Sequence, residues 1–184
     1  MHMEHPRGDI ERILLTREQI AGRTRELADA ISRDVDTGRE LTIVPIMTGA
    51  MIFAADLIRD IDRPMRINLM TVSSYPGKSL RTQGTTILQQ QLSDVGGRNV
   101  LLVDDILDSG GTLAAVVPVL HELGAASVQT CVLLHKQLPD PPKMRADYVG
   151  FEIPDAFVVG YGLDYDNLYR NLPYIAVLKP PATA

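Results

Sequence analysis

The run Asn99-Val100-Leu101-Leu102-Val103-Asp104-Asp105-Ile106-Leu107-Asp108-Ser109-Gly110-Gly111-Thr112-Leu113 constrains this chain more than any other segment. Its apolar start reads as a buried strand. The strand runs straight into two adjacent carboxylates, then a turn of small residues, then a helix. An anion site and an acidic pair therefore fall within a few residues of each other. Few ligands want both, and a phosphorylated sugar is the obvious one.

In Asp108-Ser109-Gly110-Gly111-Thr112 the glycines permit close backbone approach, and free N–H groups at the start of the next helix would point at an anion. Ser109 and Thr112 add hydroxyl donors. An ordinary strand-to-helix turn, capped by Ser or Asp, would look similar. The segment has neither the Gly-Lys-Ser/Thr of a Walker loop nor G-x-G-x-x-G spacing. Asp104 and Asp105 tip the balance. Carboxylates beside a phosphate repel it unless they face something else, either sugar hydroxyls or a divalent cation shared with a second phosphate. Successive strand residues point to opposite faces, so the two acids need not act alike. Asp108 is a third carboxylate, in the turn itself.

The rest of the chain supplies the frame. Thr16 is a plausible N-cap, with Glu18 and Gln19 in the turn after it, and Ile20, Leu27, Ile31 and Val35 at helical spacing predict a helix over 17–36. Residues 41–46 read as a buried strand whose end Pro45 marks, since proline cannot donate to a ladder. Thr48-Gly49 makes a turn before a helix over 50–61. A strand over 66–73 leads into the polar, turn-rich Ser74-Tyr75-Pro76-Gly77-Lys78-Ser79, and 85–92 reads as its return. A helix over 113–123 follows the opening run, then a core strand over 128–134. Two short strands, 148–153 and 157–161, are broken by Pro154-Asp155. Apolar strands alternating with helices predict a parallel α/β sheet covered on both faces. Thr48-Gly49, Asp104 to Thr112, Lys136 and Asp164 all fall at carboxyl ends of strands, where such sheets bind ligands.

Composition narrows the function. The 184 residues, 45% of them hydrophobic, suffice for one domain with an ample core. A net charge of −5 offers no global basic field to nucleic acid. No apolar run approaches the roughly 18 residues of a membrane span, and residues 1–9 hold no apolar signal-peptide core. The lone Cys131 lies in an apolar stretch, cannot form an internal disulfide, and reads as a packing residue in a reducing cytoplasm.

A hydrophobic strand, two acidic residues, two apolar residues and Asp-Ser-Gly-Gly-Thr resemble the phosphoribosyl pyrophosphate motif of the type I phosphoribosyltransferases. The run Val149-Gly150-Phe151-Glu152-Ile153-Pro154-Asp155-Ala156-Phe157-Val158-Val159-Gly160-Tyr161-Gly162-Leu163-Asp164-Tyr165 resembles the purine segment of their hypoxanthine–guanine branch, and Tyr169-Arg170-Asn171-Leu172-Pro173-Tyr174 continues it. The likeness spans about residues 9–178. It implies a mostly parallel central sheet flanked by helices, with a core over about 36–150. A small hood from about 1–15 and 151–184 and a mobile loop over about 73–85 would complete the single domain.

The resemblance also implies roles. Ser109, Gly110, Gly111 and Thr112 would hold the 5′-phosphate, while Asp104 and Asp105 address the ribose hydroxyls and Mg²⁺. Asp108 would accept the proton from purine N7. Lys136 would donate to the 6-oxo group, Phe157 would stack on the purine, and Val158 would contact its edge through the backbone. Asp164 would help hold Mg²⁺ on the pyrophosphate side, Thr48, Gly49 and Arg170 would meet pyrophosphate, and Ser74 and Tyr75 would belong to a closing loop. Without that context Lys136 reads as a snorkelling strand-end residue and Phe157 as core. The implied partners are phosphoribosyl pyrophosphate and a 6-oxopurine, in a homodimer or homotetramer, with no nucleic acid and no membrane. Four positions depart from the family pattern: Met47 and Thr48 stand where Leu-Lys-Gly has Leu and Lys, Asp104 replaces Glu, and Ala156 replaces a frequent Lys. A rival is a regulator of the same fold that senses phosphoribosyl pyrophosphate while binding nucleic acid; the acidic balance argues against it.

Overall fold

A computed structural model describes residues 9–73, 86–90 and 95–179 of the chain. Strand β1 (Ile10–Leu15) precedes helix α1 (Arg17–Asp34), whose start is set by a capping box. Thr16 Oγ1 accepts from the Gln19 N–H at 3.3 Å, and the Thr16 N–H donates to Gln19 Oε1 at 2.8 Å. Strand β2 (Leu41–Met47), helix α2 (Met51–Asp60), the short strands β3 (Met65–Ile67) and β4 (Met70–Ser73), and β5 (Thr86–Gln90) follow. Then come β6 (Asn99–Leu107), α3 (Gly111–Glu122), β7 (Ser127–Gln137), β8 (Tyr148–Pro154), β9 (Val158–Val159) and β10 (Ile175–Leu178).

The main sheet has the order β5-β4-β2-β6-β7-β8, with β3 beside β2 on the same side as β4. All its pairs are parallel except β4 with β5. Period-2 alternation sends Ile43, Leu101, Val103, Cys131 and Leu133 to one face, against α1 and α2. Val44, Ile46, Val100, Leu102 and Val132 face α3 through Leu113, Val116, Val117 and Leu120. Cys131 is fully buried, as expected of a packing residue.

Beside this body lies a three-stranded antiparallel sheet, β1-β10-β9, joining the two ends of the described chain. It is fastened to its surroundings by the Tyr161 hydroxyl, which donates to Asp56 Oδ2 at 2.5 Å, and by the Tyr169 hydroxyl, which donates to Asp9.

Several expectations need correction. Pro45 does not end its strand: it pairs in register with Val103. It sits where the neighbour on β2's other side is interrupted, between the β3 contact at Ile43 and the β4 contact at Ile46. The single strand expected over 66–73 is accordingly two pieces. α3 begins at Gly111 rather than 113, β7 runs on to Gln137, and the strand expected over 157–161 shrinks to Val158–Val159. The main sheet's last strand runs to Pro154, where a strand over 148–153 is expected from the sequence.

Candidate active site

The carboxyl ends of β2, β4 and β6 open into a cleft of about 830 Å³. Eleven of the residues singled out from the sequence line it: Thr48, Gly49, Asp104, Asp105, Asp108, Ser109, Gly110, Gly111, Thr112, Asp164 and Arg170. Ser74 and Tyr75 lie outside the described residues.

The turn after β6 is built on a backbone that only glycine fits. Gly110 has φ +72°, and a Cβ there would stand 2.7 Å from the Met144 carbonyl oxygen. The 139–146 loop backs the turn, with the Lys143 N–H donating to Ser109 O at 2.8 Å. α3 starts at the next residue, so its first N–H groups are free of intrahelical partners and open to an anion.

Asp104 and Asp105 sit at the cleft floor. Asp104 is buried, and its Oδ1 accepts from the Asp105 N–H at 3.0 Å; Asp105 Oδ1 accepts from the Ile106 N–H at 2.8 Å. Burial, reinforced by the neighbouring Asp105 carboxylate, pushes the Asp104 carboxyl well above the ordinary range. Burial also raises Asp105, tempered by hydrogen bonds from Asp104 and the Ile106 amide and by the Arg170 charge. Such a pair is relieved by a divalent cation or by ligand hydroxyls. Among the described residues no three His, Cys, Asp or Glu side chains converge on one point. Adjacent carboxylate oxygens are themselves the donor type that a hard cation takes.

The unrelieved pair has a measurable cost. A carboxyl with a higher pKa folded than unfolded contributes most to stability below the ordinary carboxylate range, and loses that contribution as pH rises through its folded pKa. In metal-free protein, Asp104→Asn is therefore expected to raise Tm at neutral pH by roughly 2–4 °C for about 1 kcal/mol. The gain should fade in acid, as calorimetry at several pH values would record. A variant less stable than the parent at neutral pH would contradict this account.

On the β2 side the Met47–Thr48 peptide is cis, and Gly49 packs against Asp105. A Cβ on Gly49 would overlap Asp105 Oδ2 and stand 2.6 Å from Cγ. Gly162, at φ +105°, packs on Gly49 in turn, where a Cβ would overlap the Gly49 carbonyl oxygen. Arg170 closes the wall, donating through Nη1 to Gly162 O at 2.6 Å and pairing through Nη2 with Asp164 Oδ1 at 2.6 Å. Asp164 Oδ2 accepts from the Asn167 N–H at 2.9 Å. Asn167 also lines the cleft, and sequence reasoning missed it. Its signal was weak: Asp166 and Asn167 have φ +52° and +61°, a conformation Asp and Asn tolerate better than most residues.

Lys136, Phe157 and Val158 are not among the residues that line the cleft. The β6–β7 register pairs Leu107 with His135, so Asp108, just past β6, is level with Lys136 near the end of β7. Lys136 Nζ lies 3.4 Å from Asp108 Oδ2 and 3.3 Å from Asp155 Oδ1, with the lysine side chain only 14% exposed. Phe157 is not core: it is 53% exposed and meets Tyr165 edge to face, ring centroids 5.4 Å apart. Val158 is buried in the small sheet, while the Phe157 carbonyl accepts from the Leu178 N–H at 3.1 Å. In the sequence Asp155 reads only as part of the Pro-Asp break between two strands, and Tyr165 carries no role of its own. Thr71 and Val72, at the carboxyl end of β4, also line the cleft. The rule that ligands sit at parallel strand ends would have found them.

Comparison with known proteins agrees with this geometry. Residues 12–166 match the phosphoribosyl transferase domain. A hypoxanthine-guanine phosphoribosyltransferase of Bacillus subtilis is 41% identical over 172 residues, 94% of this chain and 95% of the relative. One from Mycobacterium tuberculosis is 42% identical over 94% of this chain and 88% of its own length. The crystal structure of a hypoxanthine phosphoribosyltransferase from Staphylococcus aureus superposes with a TM-score of 0.85 at 41% identity, covering 94% of this chain and 93% of the other. With the strand-end cleft, the acidic pair and the small-residue turn in place, the chain belongs to the phosphoribosyltransferase family.

Proposed function

We propose that the protein is a purine-salvage enzyme that transfers the 5-phosphoribosyl group from phosphoribosyl pyrophosphate to N9 of hypoxanthine, and of guanine. The products are the nucleotide and pyrophosphate. The observation that carries this reading is the pair of Asp108 and Lys136, 3.4 Å apart on adjacent strand ends beside the acidic cleft. A 6-oxopurine presents O6 and N7 side by side on one edge. A carboxylate and an ammonium that close together match an N7–H donor and an O6 acceptor.

In the reaction the C1′–pyrophosphate bond breaks, the C1′–N9 bond forms, and Asp108 takes the proton leaving N7. Ser109 to Thr112 hold the 5′-phosphate on hydroxyls and the first N–H groups of α3. Asp104 and Asp105 receive the ribose hydroxyls. Thr48 and Gly49 with Arg170 meet the pyrophosphate, and the exposed face of Phe157 takes the flat base. A Mg²⁺ ion, when bound, supplies neutralisation of the leaving pyrophosphate. Asp104 and Asp105 would hold Mg²⁺ beside the ribose, and Asp164 would help hold a Mg²⁺ on the pyrophosphate side, each with carboxylate oxygens that hard cations take. Much of the rate enhancement is then electrostatic and positional.

We further assign the protein to the cytoplasm, as a homodimer or homotetramer. A buried free Cys131 supports the first, and no described helix is long and apolar enough to cross a membrane. Sedimentation measures the second.

The test is pyrophosphate release with Mg²⁺, phosphoribosyl pyrophosphate and, in turn, hypoxanthine, guanine, xanthine, adenine and uracil. Hypoxanthine and guanine should serve, and a preference for adenine or uracil would overturn the assignment. Lys136→Ala should lower kcat/KM for hypoxanthine roughly 10- to 100-fold, the worth of a charge-assisted hydrogen bond. Unchanged kinetics would remove Lys136 from the base site.

A further inference from the structure

We propose that Asp155 is a positioning residue for Lys136, the pivot on which the lysine turns from Asp108 to the purine 6-oxo group. The inference rests on the purine-edge reading above and concerns a residue to which that reading gives no task. Three neighbouring strand ends create the arrangement. In register, β6 sets Leu107 beside His135, and β7 sets Lys136 beside Ile153 and Gln137 beside Pro154. Asp108 is thus level with Lys136, Asp155 comes two residues past Ile153, and the ammonium lies between the two carboxylates at 3.4 and 3.3 Å. The Asp155 contact has hydrogen-bond geometry. The lysine side chain is 14% exposed, whereas Asp108 and Asp155 are 55% and 62% exposed.

The two carboxylates cannot have the same task. Asp108 must be open to receive the N7 proton, so an ammonium resting on it competes with the base. Lys136 has three N–H donors. With one kept on Asp155, another can leave Asp108 for O6 without losing the lysine's only counter-charge. Without Asp155, Asp108 is the one carboxylate left, among the described residues, beside a largely buried ammonium, and the pair closes over the place the purine edge needs. Asp155 thus acts through Lys136, touching neither sugar nor base.

Asp155→Asn keeps the shape of an exposed side chain and removes its charge. It should raise KM for hypoxanthine on the order of tenfold, the loss of a charge-assisted hydrogen bond discounted for exposure. KM for phosphoribosyl pyrophosphate should stay within about twofold, because that ligand lies on the other side of Asp108. Asp155→Glu should recover most of the loss. In a Lys136→Ala background Asp155→Asn should have no further effect, since the pivot then has nothing to hold. Wild-type KM in Asp155→Asn, an equal loss in the Lys136→Ala background, or failure of glutamate to rescue would each overturn the proposal. Lys136→Ala alone separates the two layers. If it is impaired while Asp155→Asn is not, only the role of Asp155 falls; if it is itself unimpaired, the purine-edge reading falls with it.

Discussion

Asp108→Asn is expected to lower kcat by roughly 10²- to 10⁴-fold, the span of a positioned general base, while KM for phosphoribosyl pyrophosphate changes little. Asparagine occupies the same volume and still accepts a hydrogen bond from N7–H, but it cannot take the proton as the glycosidic bond forms. The neighbouring parts of the cleft do not depend on the Asp108 charge. Gly110 and the Ser109–Lys143 backbone bond set the phosphate turn, and the Ile106 amide holds Asp105. Stability should move little too. The Asp108 side chain is 55% exposed, so its ion pair with Lys136 contributes below about 1 kcal/mol. Steady-state kinetics with each substrate varied in turn, beside a thermal melt, measures all three quantities. Wild-type turnover would remove Asp108 from the chemistry. A lost melt transition would mean that the turn, and not the proton, had been disturbed.

Parts of this site could be read from sequence because their physics is local. Val100 to Val103 cannot face water on either side, the Thr16–Gln19 box announces the first helix, and two glycines after an acidic pair point to a backbone cradle. The fold class followed from the alternation of apolar strands and helices, and the Asp104 to Thr112 part of the cleft from the sequence motif, whereas Thr71, Val72 and Asn167 did not. What stayed hidden depends on partners distant in the chain. Strands β1 and β10 pair Ile10 with Leu178, and nothing within either segment specifies so remote a partner. Pro45 looks like a strand end until the gap between β3 and β4 beside it is known. Asp155 reads as half of a Pro-Asp turn, and only the pairing of β8 with β7 brings it within reach of Lys136. The wall formed by Gly49, Gly162 and Arg170 is also invisible in sequence. A glycine reveals that it is needed for space only when its neighbour is present.

That wall makes Gly49→Ala a sharp test of how the acidic pair is held. The added methyl would overlap Asp105 Oδ2 and crowd Cγ at 2.6 Å. The Gly49 carbonyl cannot retreat from the methyl, because Gly162 already packs against it. Asp105 must therefore give way. Its Oδ1 is tied to the Ile106 N–H, and Asp104 lies directly alongside. Displacing that carboxylate moves one of the two acids assigned to the ribose, so kcat/KM for phosphoribosyl pyrophosphate should fall at least about 100-fold, since misplacing a site by about 1 Å already costs that much. Overpacking of this kind should also lower stability by roughly 1–3 kcal/mol. Gly22→Ala is the matched control. It adds the same methyl in α1, where nothing stands within 4 Å, and should stabilise the protein by about 0.5–1 kcal/mol with kinetics unchanged. Opposite signs for one substitution at two glycines would locate the effect in the contact with Asp105 rather than in backbone entropy. If Gly49→Ala kept wild-type affinity for phosphoribosyl pyrophosphate, the Asp105 carboxylate would have no part in holding the sugar.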